Sequence, residues 1–108
     1  MANKYSYKFA PKAQNDLNEV LLYIEQELSN SKAAKDLADE LFVKIDNIRE
    51  FPLSGRVVDN EFFIDQTLRK FIVGKYIVFY KVNQEAKTII IVRIVYGGRN
   101  IDEILKTL

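Results

Sequence analysis

The sequence predicts an α+β fold in which a helical hairpin packs on one face of a four-stranded, mostly antiparallel sheet. Three observations predict it. Apolar side chains recur at three- and four-residue steps across residues 12–50, the period of helices with one buried stripe. Residues 68–96 are rich in Ile, Val, Tyr and Phe and are cut by two short turn segments, the pattern of three antiparallel strands. Residues 4–9 alternate Tyr5, Tyr7 and Phe9 on one face, which places a strand ahead of the helices. The order is β-α-α-β-β-β-α, and helices with one apolar stripe need a sheet face to cover. The opposite sheet face is left open, or is partly covered by the tail.

Each element has its own signals. Pro11 sits where a first helical turn tolerates it. From there Ala13, Leu17, Val20, Leu21, Ile24 and Leu28 form the stripe of a helix reaching about residue 28, with Asp16, Asn18, Glu19, Glu25 and Gln26 on the other side. Ser29, Asn30 and Ser31 interrupt it, and all are cap or turn formers. A second helix carries Ala34, Leu37, Ala38, Leu41, Phe42, Ile45 and Ile48 on its stripe. It stops near Glu50, because Pro52 disfavours helix at Phe51. Ala34, Leu41, Phe42 and Ile45 are expected in the core of the hairpin.

Residues 51–66 mix turn formers with scattered apolar side chains and read as a loop. Three strands follow, at 68–73, 76–82 and 88–96, joined by Gly74-Lys75 and by a longer turn at 83–87. The last strand is apolar nearly throughout except Arg93, so it is expected to be buried on both faces. Arg93 itself must lie on an open sheet face or be paired, because burying an unpaired charge is expensive. Gly97-Gly98 ends the strand. It lacks the spacing of a dinucleotide or P-loop motif, and a positive φ is the expected reason for it. Asn100, three positions before Glu103, has capping-box spacing, and Ile101, Ile104, Leu105 and Leu108 make a short amphipathic tail helix.

Composition narrows the chemistry. The 108 residues fit one domain, 1–108, with 48% hydrophobic and 29% charged side chains. The chain has no Cys and no His, which removes disulfides, a thiolate nucleophile, the usual general base and most zinc sites. No metal and no cofactor are expected. The first ten residues carry charge and no apolar signal-peptide core, and no apolar run is long enough to span a bilayer, so a soluble, cytoplasmic protein without membrane contact is expected. Net charge is +1, with the second half mildly basic: residues 51–108 carry nine Lys/Arg against six Asp/Glu. That excess is either ordinary solubility or a face that meets phosphates or an acidic partner.

Several short segments carry a resemblance. Leu22-Tyr23-Ile24-Glu25 closes the first helix. Phe51-Pro52-Leu53-Ser54-Gly55-Arg56 forms a P-x-x-G-R loop. Arg69 precedes the hairpin run Tyr76-Ile77-Val78-Phe79-Tyr80. Ile94-Val95-Tyr96-Gly97-Gly98-Arg99-Asn100 ends the sheet. In this order, and over essentially the whole chain, they resemble the RelE/ParE superfamily of toxins from type II toxin–antitoxin systems. The element order resembles that family too. The resemblance implies a growth-arresting toxin neutralised by a cognate antitoxin in a hetero-oligomer. It implies one of two targets: the ribosome with its mRNA for RelE-type members, which cleave RNA, or DNA gyrase for ParE-type members, which poison it.

The residues lean toward the ParE-like branch. Metal-free RNA cleavage needs a group to activate the ribose hydroxyl and cations to hold the phosphorane charge. RelE-type members place a basic residue directly after the first Tyr of the hairpin run; here that position is Ile77. Tyr96 stands where many members have His, and the tail lacks the Tyr that RelE uses. The expected function is therefore gyrase poisoning. A ribosome-dependent mRNA interferase is the alternative, with Arg69, Lys75, Tyr96 and Arg99 as its catalytic set; a non-toxic antitoxin-binding module is the further alternative. For target or antitoxin contact, Phe62, Phe63, Ile101 and Leu105 are expected to supply apolar surface and Arg69, Lys70 and Arg99 charge. The competing reading of the tail residues is that they complete the chain's own core. Arg69 equally suits a solvated strand position or an ion pair, Arg56 a cap or cross-link of its loop, and Tyr76 and Tyr80 core packing on one face.

Overall fold

The computed structural model describes residues 4–58 and 68–106. In chain order these form β1 (Ser6–Phe9), α1 (Pro11–Leu22), a π-helical turn (Tyr23–Glu27), α2 (Ser31–Glu50), β2 (Arg56–Val57), β3 (Leu68–Val73), β4 (Tyr76–Asn83), β5 (Thr88–Tyr96) and α3 (Ile101–Leu105). The sheet runs β1-β5-β4-β3-β2, with β1 parallel to β5 and the other pairs antiparallel. The α+β class and the helical hairpin are as expected. The sheet has one strand more than the four expected, because two residues of the 51–66 segment pair with β3 as β2. No helix among the described residues is long and apolar enough to cross a membrane.

Pro11 opens α1 at its first turn, where the missing N–H has no intrahelical partner to lose. Ala13, Leu17 and Ile24 are buried, as their spacing requires. Leu28, expected on the same stripe, is 55% exposed. The cause is the π turn: the Leu28 N–H donates to the Tyr23 carbonyl at 3.3 Å, five residues back. One extra residue in the turn rotates everything after it off the helical period. Ser29 then takes φ 49°, and the Asn30 side chain caps α2 by accepting from the Ala33 N–H at 2.9 Å. On α2, Leu41, Ile45 and Ile48 are buried, whereas Phe42 is 43% exposed and corrects the expectation of a core position. It lies one residue, or about 100°, around the helix from Leu41, with its ring 6.3 Å from that of Phe9.

The turn between β3 and β4 has Gly74 at φ +57° in its first position, and the turn between β4 and β5 has Lys87 at φ +50°. Register within β5 changes once. Phe79 pairs with Arg93 and Tyr80 with Ile91, so Val92 has no opposite number. This bulge resets the alternation. Ile89, Ile91 and Ile94 all join the core under the helices, with Leu17, Leu41, Ile45 and Tyr80. Val92 and Val95 instead pack with Phe79, Leu68, Ile104 and Leu105 in a second core. The face opposite the helical hairpin is thus covered by α3, whose N-cap Asn100 accepts from the Glu103 N–H at 3.4 Å.

Past Phe9 the outer edge of β5 has no strand beside it among the described residues; the last ladder contact is Ala10 N–H to the Ile91 carbonyl at 2.8 Å. Asp16 on α1 takes over. Its carboxylate accepts from Arg93 Nε at 2.7 Å and Nη2 at 3.1 Å, and from the Ile94 N–H at 2.9 Å. Both side chains are 12% exposed, so the charge that interrupts the apolar strand is paired. Replacing Asp16 with Ala strands the Arg93 guanidinium and the Ile94 N–H together. Urea unfolding should show a loss of about 3–5 kcal/mol, with Asp16→Asn losing less because its amide oxygen still accepts. A loss below about 1 kcal/mol for Asp16→Ala would show that water replaces the carboxylate and that the pair contributes little.

Candidate functional site

The sheet has two ends with different occupations. At one end the loop after α2 is fastened to the sheet. Tyr80 is fully buried, and its hydroxyl donates to the Pro52 carbonyl at 2.9 Å while accepting from the Gly55 N–H at 2.9 Å. Arg69, its neighbour in the β3–β4 ladder, donates through Nη1 to the carbonyls of Leu53 at 3.0 Å and Gly55 at 2.8 Å. A Cβ on Gly55 would lie 2.2 Å from the Tyr80 hydroxyl, so only glycine admits this approach. Pro52, Gly55, Arg69 and Tyr80 therefore act as one clamp. Burial pushes the Tyr80 phenol above its ordinary value of 10.0, against the smaller opposing influence of the Gly55 hydrogen bond and the Arg69 charge.

At the other end, where the π turn meets the β3–β4 turn and the end of β5, a cleft of ≈ 580 Å³ opens. Its walls are the rings of Tyr23, Tyr76 and Tyr96 with Val20 and Leu28; Glu19 and Lys75 supply its charges. Tyr76 and Tyr96 pair across the ladder with ring centroids 6.0 Å apart, edge to face. Burial raises the Tyr76 phenol, and the nearby Tyr23 and Tyr96 hydroxyls push it the same way. Tyr23 and Tyr96 are about half exposed, at 53% and 48%. Glu19 accepts from the Asn15 amide at 3.2 Å. The exposed Lys75 ammonium makes no ion pair or side-chain hydrogen bond among the described residues. Its backbone carbonyl accepts from Gly97 at 2.8 Å, tying the β3–β4 turn to the end of β5.

The four residues proposed for RNA cleavage are not brought together. Lys75 and Tyr96 share the cleft. Arg69 is at the far end of β3, roughly 15–20 Å along the strand, and its guanidinium is occupied by the two loop carbonyls. Arg99 lines a separate groove of ≈ 450 Å³ with Arg93, Asn100, Glu103 and Ile104. Lys70 pairs with Phe79 in the ladder and so lies on the opposite sheet face from Arg69. Of the apolar contact residues, Leu105 is 2% exposed and Ile101 packs on the second core, so the tail helix completes the chain's own fold. Phe62, Phe63 and Leu108 fall outside the described residues. Gly97 and Gly98 do not have positive φ, which corrects that expectation. Their reason is space: a Cβ on Gly98 would lie 2.4 Å from the Tyr96 ring, and one on Gly97 3.2 Å from the Lys75 carbonyl.

Sequence reasoning missed Tyr23 as a cleft residue. It stood in the Leu22-Tyr23-Ile24-Glu25 segment at the end of α1, but only the packing of that helix end beside the end of the sheet makes it a cleft wall. Tyr76 was read as packing, and it does pack, while one side of it also forms the cleft wall.

This chain belongs to the ParE toxin family: the model described as "ParE toxin of type II toxin-antitoxin system, parDE" matches residues 7–101. It is thus a toxin of the type II toxin–antitoxin class, within the RelE/ParE superfamily. Among curated proteins none matches. Solved structures that share the fold include two toxin–antitoxin assemblies. One is the toxin–antitoxin complex RelBE2 from Mycobacterium tuberculosis, at 18% identity and a TM-score of 0.56, covering 86% of this chain and 98% of the other. The other is the chromosomal ParDE toxin–antitoxin system from P. aeruginosa, at 17% identity and a TM-score of 0.67, covering 88% and 98%.

Two outcomes follow for the clamp. Tyr80→Phe removes a donor and an acceptor from buried backbone partners and should cost about 1–3 kcal/mol in urea unfolding; an unchanged midpoint would mean that water satisfies both backbone groups. Because the folded Tyr80 phenol is raised, its stabilisation is complete below the ordinary tyrosine value and disappears as pH rises through the raised one. Alkaline titration followed by phenolate absorbance should therefore show the last tyrosine ionising together with loss of near-ultraviolet dichroism. Ionisation of all six tyrosines before any unfolding would contradict this.

Proposed function

We propose that this toxin arrests growth in the cytoplasm by poisoning DNA gyrase rather than by cutting RNA, and that a cognate antitoxin silences it in a hetero-oligomer. The observation that carries the reading is the dispersal of its cations. Arg69 is committed to backbone carbonyls, Lys75 lies at one end of the sheet and Arg99 in another groove. Phosphoryl-transfer chemistry without a metal needs several such groups within reach of one phosphate. At the position where RelE-type members carry a basic side chain stands Ile77, which pairs with Ile72 and Val95 and packs on the second core. The antitoxin half of the reading is supported by the family and by the fold shared with chains from toxin–antitoxin assemblies.

The direct test mixes purified toxin with gyrase and relaxed plasmid, with and without ATP. Loss of supercoiling with trapped double-strand cleavage, reversed by antitoxin, is the expected result. Normal supercoiling at large toxin excess, together with ribosome-dependent mRNA cleavage, would replace this reading with the interferase one. Unchanged growth on induction would reduce the chain to an antitoxin-binding module.

A further inference from the structure

Strand β3 is only partly covered on its outer side. β2 pairs with it at Lys70 and Arg69, and the Val58 N–H donates to the Leu68 carbonyl at 2.9 Å. Backbone groups alternate between the two sides of a strand, so those of Leu68, Lys70, Ile72 and Gly74 face the outer edge. Beyond Lys70 no strand lies there among the described residues. α2 takes its place. Lys44 Nζ donates to the Ile72 carbonyl, the Gly74 N–H donates to Glu40 Oε2 at 3.3 Å, and Lys44 and Glu40 pair with each other at 3.4 Å. The fit is one of spacing. Four residues of helix rise about 6 Å and two residues of strand about 6.7 Å. A pair one turn apart on α2 therefore matches edge groups two residues apart on β3, and it covers the stretch that β2 does not reach.

We infer that the β3 edge at Ile72–Gly74 is a self-pairing site for a second copy of this chain, and that Lys44 and Glu40 keep it closed. The complementarity of the two covered groups carries the inference. One is an acceptor, the Ile72 carbonyl; the other is a donor two residues on, the Gly74 N–H. Two antiparallel copies with Ile72 opposite Gly74 satisfy both groups in each copy, the donor of one meeting the acceptor of the other. That register sets Val73 against Val73 and Lys75 against Phe71, so no like charges stand opposite. Ile72, 49% exposed, adds an apolar side chain at the seam. An uncovered strand edge is a template for pairing, and charged side chains laid along it prevent that. α2 treats the other edge of the sheet in the same way: Arg49 Nε donates to the Tyr5 carbonyl at 2.7 Å while the Arg49 carbonyl accepts from the Tyr5 N–H at 2.9 Å. Ion pairing alone gives Lys44 and Glu40 little reason to be there, because their side chains are 42% and 46% exposed and such pairs contribute little to stability. The inference does not depend on which target the toxin has.

The test is sedimentation velocity of the full chain across a wide concentration range, with amide-hydrogen exchange read alongside. The double variant Glu40→Ala, Lys44→Ala should self-associate at least about tenfold more tightly than the parent. Exchange at Ile72 and Gly74 should be faster than in the parent when this variant is dilute, and should slow as its concentration rises. Lys44→Arg still donates to the carbonyl and should sediment like the parent. Ile72→Pro, added to the double variant, removes an N–H from the edge and should return the parent's sedimentation. Lys44→Ala alone leaves Glu40 on Gly74 and gives the same reading at smaller amplitude should the double variant not fold. A folded variant that sediments like the parent at every concentration overturns the inference, as does association that protects amides elsewhere than at Ile72 and Gly74.

Discussion

Strand β5 governs the architecture. It is apolar along nearly all its length, pairs with a strand on each side, and lies between two cores. A strand of that kind cannot leave either face in water. One face takes the helical hairpin, and the other takes α3, which is why the short tail is part of the fold and not a spare arm. The bulge at Val92 distributes Ile89, Ile91 and Ile94 to one core and Val92 and Val95 to the other. Asp16 completes the arrangement. It neutralises Arg93 and satisfies an edge N–H where β1 has ended, so one carboxylate solves a charge problem and a backbone problem together.

The segments that resemble the toxin family divide cleanly by role in this chain. Pro52, Gly55, Arg69 and Tyr80 come from three separate stretches and converge on one clamp that fastens the loop after α2 to the sheet. Their roles are steric and hydrogen-bonding, and they account for the glycine, the arginine and the second tyrosine without any target. Tyr96 and the glycines after it serve a second close approach, in which the ring lies where a Cβ would be. Tyr23, Lys75 and the outer side of Tyr96 line the cleft at the opposite end of the sheet, while Arg99 lies in a groove of its own. Fastening one end and leaving the other open is a reasonable division for a small protein that must be both stable and bound.

Much of the fold was legible from residue pattern alone. The stripe from Ala13 to Ile24, the caps at Asn30 and Asn100, the Gly74 turn and the double-sided burial of β5 all follow from periodicity and local stereochemistry. The failures have local causes too. Leu28 left its stripe because a π turn adds a residue without any distinctive sequence sign. Phe42 left the core because it lies about 100° around α2 from the buried Leu41. Gly97 and Gly98 were read as conformational when they are steric, since the ring that excludes a Cβ is known only once the strand end is built.

The candidate site was less legible, and the reason is distance along the chain. Lys75 and Tyr96 were named from sequence and do meet, because hairpin register brings a turn next to a strand end. Arg69 was named with them and lies far away, fastened to carbonyls 14 and 16 residues earlier in the chain. Sequence by itself determined the elements, their order, the apolar faces and the absence of Cys and His chemistry, because these depend on neighbours within a few residues. Only the tertiary structure decided which cations are committed, which apolar side chains are left uncovered and where the cleft opens, because those follow from contacts between segments whose separation no local pattern encodes.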